Sequence, residues 1–155
     1  MSFSSLHQHS IKKRIFVFLL IIFIGIQFYR PNKNDQKPVT SKDFLIAERT
    51  PKNIANLFQN SCYSCHSNKT NYYWYDNIAP VSWIVDNHIK EGKEKLNFST
   101  WKTLDLRDKA GVISEIAVTV TEGKMPLSSF TFMHPDTKIT EADKKLILEW
   151  LYTIE

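Results

Sequence analysis

An all-α fold is predicted for this chain by three observations: four stretches keep apolar residues on a helical period, cap or breaker residues punctuate them, and no convincing strand or β-hairpin signal is present. An uninterrupted apolar run near the N-terminus adds one anchor helix. The expected architecture is an N-terminal membrane-anchor helix followed by a small helical domain.

The anchor is read from Lys12, Lys13 and Arg14, which precede the apolar run Ile15 to Ile26. Positive charge before such a run holds the N-terminus in the cytoplasm, so the remainder is expected on the periplasmic or extracytoplasmic side of the cell membrane. Continued through Gln27, Phe28 and Tyr29, the stretch reaches 15 residues, against about 20 for a usual span, which leaves a cleaved signal peptide as the alternative. Bulky Phe28, Tyr29 and Arg30 stand where a peptidase needs small residues. An uncleaved single-pass anchor over residues 1–30 is therefore the expectation, with Tyr29 and Arg30 at the outer boundary.

Residues 31–50 are polar and proline-bearing and read as a tether. Residues 51–155 then form one domain, small enough that its core is limited. The charge distribution follows the same division. Of the 20 Lys and Arg residues, Lys12, Lys13, Arg14 and Arg30 flank the apolar run, leaving 16 to balance the 16 acidic residues, all beyond it. The excess charge belongs to the anchor, so the exported part carries no basic signature of nucleic-acid binding.

Within the domain, the first helix runs from Pro51 to about Gln59, with Thr50 as cap, Pro51 at the first helical position and Ile54, Leu57 and Phe58 on one face. A second, Pro80 to Lys95, places Val81, Ile84, Val85, His88 and Ile89 on a 3.6-residue period. The third, Arg107 to Thr121, turns Val112, Ile113, Ile116, Ala117 and Val120 inward and stops at Gly123. The fourth, Glu141 to Tyr152, opens on a capping-box pair, Thr140 and Asp143, and is expected to bury Leu146, Ile147, Trp150 and Leu151.

The chemistry lies just after the first helix, in Cys62-Tyr63-Ser64-Cys65-His66. Two thiols with two residues between them can each form a thioether to a haem vinyl group, and the histidine after the second can reach the iron from the same side. This is the pattern of covalent haem c attachment, one haem per chain, and a haem would supply apolar bulk to the small core. Two rivals are weaker. A dithiol redox switch expects a βαβ setting and gives His66 no role. A zinc site needs further ligands at finger-like spacing, whereas His88 and His134 lie far apart.

His66 is the expected proximal ligand. For the opposite face the first candidate is Met125, 59 residues later in Gly123-Lys124-Met125-Pro126-Leu127, where Gly123 lets the chain turn and Pro126 stiffens it. The competing assignments are His88, His134, Met133 and an open position; a Met filling a gap against the porphyrin is the bland one. Tyr72, Tyr73, Trp74, Tyr75 and Trp83 are placed to shield a porphyrin face or simply to pack. Lys90, Lys93 and Lys95, interleaved with Glu91 and Glu94, read as a solvated helix face before a docking surface.

The block Ser61 to Asn68, followed by Trp74-Tyr75, Asn77 to Trp83, His88, Glu91-Gly92, Leu96 to Ser99 and Trp101, then Gly123 to Leu127, His134-Pro135 and Trp150-Leu151, resembles the bacterial haem-binding domain family with a single Cys-x-x-Cys-His site. The likeness covers about residues 51–155. It implies a membrane-linked, cytochrome-c-like haem domain.

Three functional classes remain to be told apart. An electron carrier with Cys62, Cys65, His66 and Met125 as its cofactor residues comes first, because no nucleophile or acid–base pair is evident; its redox partner proteins are unspecified by the sequence. A haem-based gas or redox sensing module comes second. A peroxidase-like enzyme, which needs a polar distal histidine such as His88 or His134, comes third.

Overall fold

The computed structural model describes residues 3–34 and 38–154, with side chains of the first helix described from Ile11 onward. Asp35, Gln36 and Lys37 of the expected tether lie outside the described residues. All regular structure among the described residues is helical. The chain forms two compact units, Met1–Lys33 with Tyr73–Asn87, and Asn34–Tyr72 with His88–Glu155.

The first unit contains helix α1, Phe3–Ile26, whose side chains from Ile15 to Ile24 are all exposed. Among the described residues no helix is long and apolar enough to cross a membrane. The expected transmembrane span thus lacks support: the charged Lys12, Lys13 and Arg14 lie inside the helix and shorten its apolar part. The residues after α1 are fixed by specific bonds. The Gln27 amide donates to Ala79 O at 3.1 Å and accepts from Ala79 N at 3.0 Å, while Lys33 Nζ donates to Asn77 Oδ1 at 2.8 Å. Tyr29, expected at a membrane boundary, meets Trp83 edge-on at 5.8 Å and accepts the indole N–H on its carbonyl at 3.0 Å.

The second unit carries the core. It begins with α2, Phe44–Ala47, capped by Asp43, whose carboxylate accepts Leu45 N–H at 3.1 Å. Then come α3, Lys52–Ser61, and α4, Tyr63–His66. Helix α5, Val81–Lys95, passes from the first unit into the second. A 3₁₀ segment, Phe98–Thr103, precedes α6, Leu106–Thr121; α7, Ser128–Met133, a 3₁₀ turn at Pro135–Thr137 and α8, Glu141–Ile154, complete it. Helices α3 and α6 each pack on α8.

Residues 31–50 are not a simple tether, because Phe44 is completely buried at the centre of the core. Its ring lies 4.8 Å from Trp101, 5.0 Å from Phe98, 5.3 Å from Phe58 and 5.5 Å from Trp150. Asn34 is engaged as well: its amide donates to Thr70 Oγ1 at 2.8 Å and accepts from Lys93 Nζ at 2.7 Å. The polar composition of the segment conceals a four-residue apolar helix with an Asp cap, too short for a period to show.

The four expected helices form within a few residues of their anticipated ends. At α6, Gly123 has φ +67° and Lys124 N–H reaches Thr119 O at 3.0 Å, the left-handed closure that glycine permits. At α8, Thr140 and Asp143 exchange their capping bonds. At α3 the cap differs. Pro51 stands at the N-cap, and Thr50 instead donates its N–H to Leu45 O, closing α2. Three expected core residues are exposed: Val81, Ile84 and Leu146. In the second unit's part of α5 the buried residues are Ile89 and Gly92, and Gly92 lets the helix approach Cys65 where apolar periodicity favours larger residues. In α8 the buried arc is centred on Ile147, Trp150 and Leu151, which leaves Leu146 at its edge.

Candidate functional site

The motif residues are brought together by a break between two helices. Cys62 ends α3 by donating its N–H to Phe58 O at 2.9 Å, then turns at φ −120°, ψ −42°. Its carbonyl accepts both Cys65 N–H at 3.2 Å and His66 N–H at 3.0 Å. One carbonyl thus closes a single turn carrying both thiols and the imidazole. The following chain is pinned by Ser67 Oγ donating to Tyr63 O at 2.7 Å and by Asn68 N–H donating to Ser99 Oγ at 3.0 Å.

His66 Nδ1 lies 3.2 Å from Leu96 O. A carbonyl only accepts, so Nδ1 carries the proton and Nε2 keeps the lone pair. Burial depresses the imidazolium pKa, opposed by the carbonyls of Leu96 and Gly92. A neutral ring oriented through Nδ1 is the form that ligates a metal. Helix α5 reaches this point because residue 92 is glycine: a β-carbon there would stand 3.0 Å from Cys65 O.

Cys62 and Cys65 are not joined to each other. Burial, and secondarily the Cys65 thiol, pushes the Cys62 pKa up to about 12. That is the reverse of the lowered pKa a nucleophilic dithiol needs. Among the described residues no group of three or more His, Cys, Asp or Glu is placed to hold a metal ion.

Two adjoining cavities, about 340 and 280 Å³, share Ser61, Cys62, His66, Lys95 and Met125 in their walls. The first has a largely apolar lining that includes Phe58, Phe98, Val112, Ile116 and Val120, with Glu115 and Lys124 among its polar residues. The second adds Cys65, His88, Gly92, Leu127 and Phe130. A concave apolar site with a few convergent polar groups suits a largely hydrophobic ligand. His66 and Met125 would offer nitrogen and sulfur donors to iron in such a ligand. The residues therefore fit a haem.

The model of the haem-binding domain family matches residues 21–153. The chain belongs to this haem-binding domain family. No curated protein and no solved structure matches it. The family match begins inside α1 and takes in residues 31–50, in keeping with Phe44 lying in the core of the haem-binding domain.

Of the sequence candidates, Cys62, Cys65, His66, Met125 and His88 line the haem-binding domain's joined cavities. Met133 and His134 do not. Met133 is half exposed, and the His134 ring packs at 5.0 Å against Phe130. Tyr72 is also outside the lining and accepts Asn34 N–H on its hydroxyl at 2.8 Å, whereas Tyr73, Trp74, Tyr75 and Trp83 belong to the first unit. Sequence reasoning missed Gly92 as the residue that admits α5, Leu96 as the acceptor for His66, and Phe98, whose ring meets His66 edge-on at 6.2 Å.

Proposed function

We propose that this haem-binding domain carries one haem c, attached through Cys62 and Cys65 and held between His66 and Met125, and transfers single electrons. The observation that carries the reading is the Cys62 carbonyl accepting from both Cys65 and His66, which sets two thiols and the imidazole on one turn in the wall of the second cavity. When bound, the haem supplies a one-electron ferrous–ferric couple. The chain's part is to orient His66 through Leu96 O, to surround the ring with Phe58, Phe98, Ile116 and Val120, and to bring the Met125 sulfur to the same cavity. Redox partner proteins are its proposed electron donors and acceptors.

A second reading, a gas or redox sensing module, is favoured by the position of Met125 on a partly exposed loop and by His88 in the same cavity wall. A residue on such a loop is easier to displace from iron than one packed in the core. We further propose that α1 anchors the protein to the cell membrane, with the haem domain on the extracytoplasmic side; its exposed Ile, Leu, Val and Phe residues and the preceding Lys12, Lys13 and Arg14 support this.

Covalent attachment is tested by acid–acetone extraction and denaturing electrophoresis of the matured protein. Haem peroxidase stain should stay with the polypeptide and be lost from a Cys62→Ala, Cys65→Ala double variant. Haem that extracts from the unmodified chain would refute attachment. Alkaline carbonate washing tests the anchor: retention in the membrane pellet is expected, and release into the supernatant overturns it.

A further inference from the structure

Asp43 is a carboxyl group with 2% of its surface exposed, and the proposed haem chemistry leaves it unused. Its Oδ1 accepts the Tyr63 hydroxyl at 2.8 Å and the Leu45 N–H at 3.1 Å. Tyr63 is the first residue between the two cysteines. Its ring stacks on Phe98 at 5.0 Å and 5°, and Phe98 in turn meets the His66 ring edge-on. A continuous packed path therefore joins a buried carboxyl to the proposed iron ligand. The motif alone requires no such path.

We propose that Asp43 is a proton-binding site coupled to the electron held at the haem, acting through the Tyr63 phenol. The inference rests on the haem reading above. As a one-electron donor converts ferric to ferrous iron, the site loses one positive charge, and the Asp43 carboxylate binds one proton from solvent. One O–H bond forms on Asp43 as one breaks in a hydronium ion of the solvent, which leaves water. Oxidation reverses both transfers. Low dielectric makes a buried charge sensitive to another charge that water would screen at the surface.

The groups acting on Asp43 point the same way. Burial raises its pKa, opposed by the hydrogen bonds from Tyr63 and Leu45 and by the Lys69 ammonium. Tyr63 itself is pushed upward, first by burial and then by its bond to Asp43, and stays a neutral donor. On the neighbouring 3₁₀ segment, Lys102 meets this region through its backbone N–H to Lys42 O, and Glu48 at the end of α2 takes the Trp101 indole N–H. Among the described residues, Lys69 is the charged group that acts on Asp43.

The test is a spectroelectrochemical titration of the matured, full-length protein from about pH 4 to about pH 8, spanning the range above the ordinary Asp value. In the unmodified protein the reduction potential should fall as pH rises, the ferrous-to-ferric ratio at fixed applied potential changing by up to tenfold per pH unit within the window. Asp43→Asn keeps an acceptor for Tyr63 and Leu45 and should remove that slope. Tyr63→Phe keeps the ring but removes a bond to the carboxylate, and should move the window to higher pH. A slope that survives Asp43→Asn, or variants that shift the potential equally at every pH, would overturn the proposal while leaving the haem reading intact. Redox-difference infrared spectra of the unmodified protein give an independent check: a carboxylic-acid carbonyl band should grow on reduction, and its absence overturns the coupling. A matured protein without a haem spectrum overturns both readings, and does so before any titration.

Discussion

Gly92 and Cys65 meet so closely that a β-carbon on the glycine would stand 3.0 Å from the Cys65 carbonyl oxygen and 3.5 Å from its β-carbon. The obstructing atom is backbone, so it cannot swing aside as a side-chain tip would. Gly92 is therefore what allows α5 to lie against the turn that carries both thiols.

Gly92→Ala should lower stability despite the better helix propensity of alanine, because overpacking costs about 1–3 kcal/mol against roughly 1 kcal/mol of helical gain. It should also reduce the yield of haem-loaded protein by displacing Cys65. Gly111 in α6 supplies the contrast, since a β-carbon there meets nothing within 4 Å. Gly111→Ala should raise stability by about 0.5–1 kcal/mol. Urea denaturation of both variants checks the pair, and equal signs would contradict the packing argument.

Phe44→Ala should cost about 3–5 kcal/mol, the usual range for removing a fully buried aromatic ring. Exposed Leu106 and Tyr152 should tolerate alanine with changes within about 0.5 kcal/mol. Thermal denaturation separates the cases. A Phe44→Ala protein as stable as the parent would return residues 31–50 to the status of a tether.

The contrast between α6 and α2 shows which parts of the fold a sequence can carry. Helix α6 has five inward residues on one period and a glycine that closes it, so local preference and tertiary burial agree. Phe44-Leu45-Ile46-Ala47 is one turn long, and its only local sign is the preceding Asp43 cap. Similarly, Cys62, Cys65 and His66 could be singled out because they stand within five residues, and Met125 because Gly123 and Pro126 flank it; all four line the cavities. The bond from His66 to Leu96 O spans 30 residues, and the one from Tyr63 to Asp43 spans 20. Such pairs leave no periodic trace. The aromatic stretch Tyr73–Tyr75 kept two readings, shielding and packing, for the same reason: composition says that rings will pack, as Tyr73 and Tyr75 do at 5.7 Å, and leaves open against what else.

The raised pKa of Asp43 also has a consequence for folding. A carboxyl whose folded value lies above its unfolded value favours the folded state most at low pH, and this contribution is lost as pH rises through the folded pKa. Asp43→Asn retains the capping acceptor but cannot ionise. Its stability relative to the parent should therefore increase from about pH 4 toward neutrality. Denaturant titrations of both proteins at several pH values measure the difference, and a constant offset would show that Asp43 does not change its protonation on folding.

Met125 is the residue whose removal should most alter the haem's electronic state while leaving the fold in place. It shares both cavities with His66, lies on the loop closed by Gly123, and is 38% exposed, so truncation removes little core. A thioether ligand stabilises ferrous iron, and its loss should open the sixth position. Met125→Ala should abolish the weak far-red sulfur-to-ferric-iron band, add high-spin character, permit carbon monoxide binding and lower the reduction potential. Met133→Ala and His134→Ala should leave all four unchanged, since neither residue lines the cavities. His88 is the informative competitor because it does. If His88→Ala changes the spectrum while Met125→Ala preserves it, the iron lies between two histidines and the Met125 assignment fails. If Met125→Ala alone changes it, His88 remains a wall residue, and the potential of the unmodified protein should lie above that of a Met125→His variant.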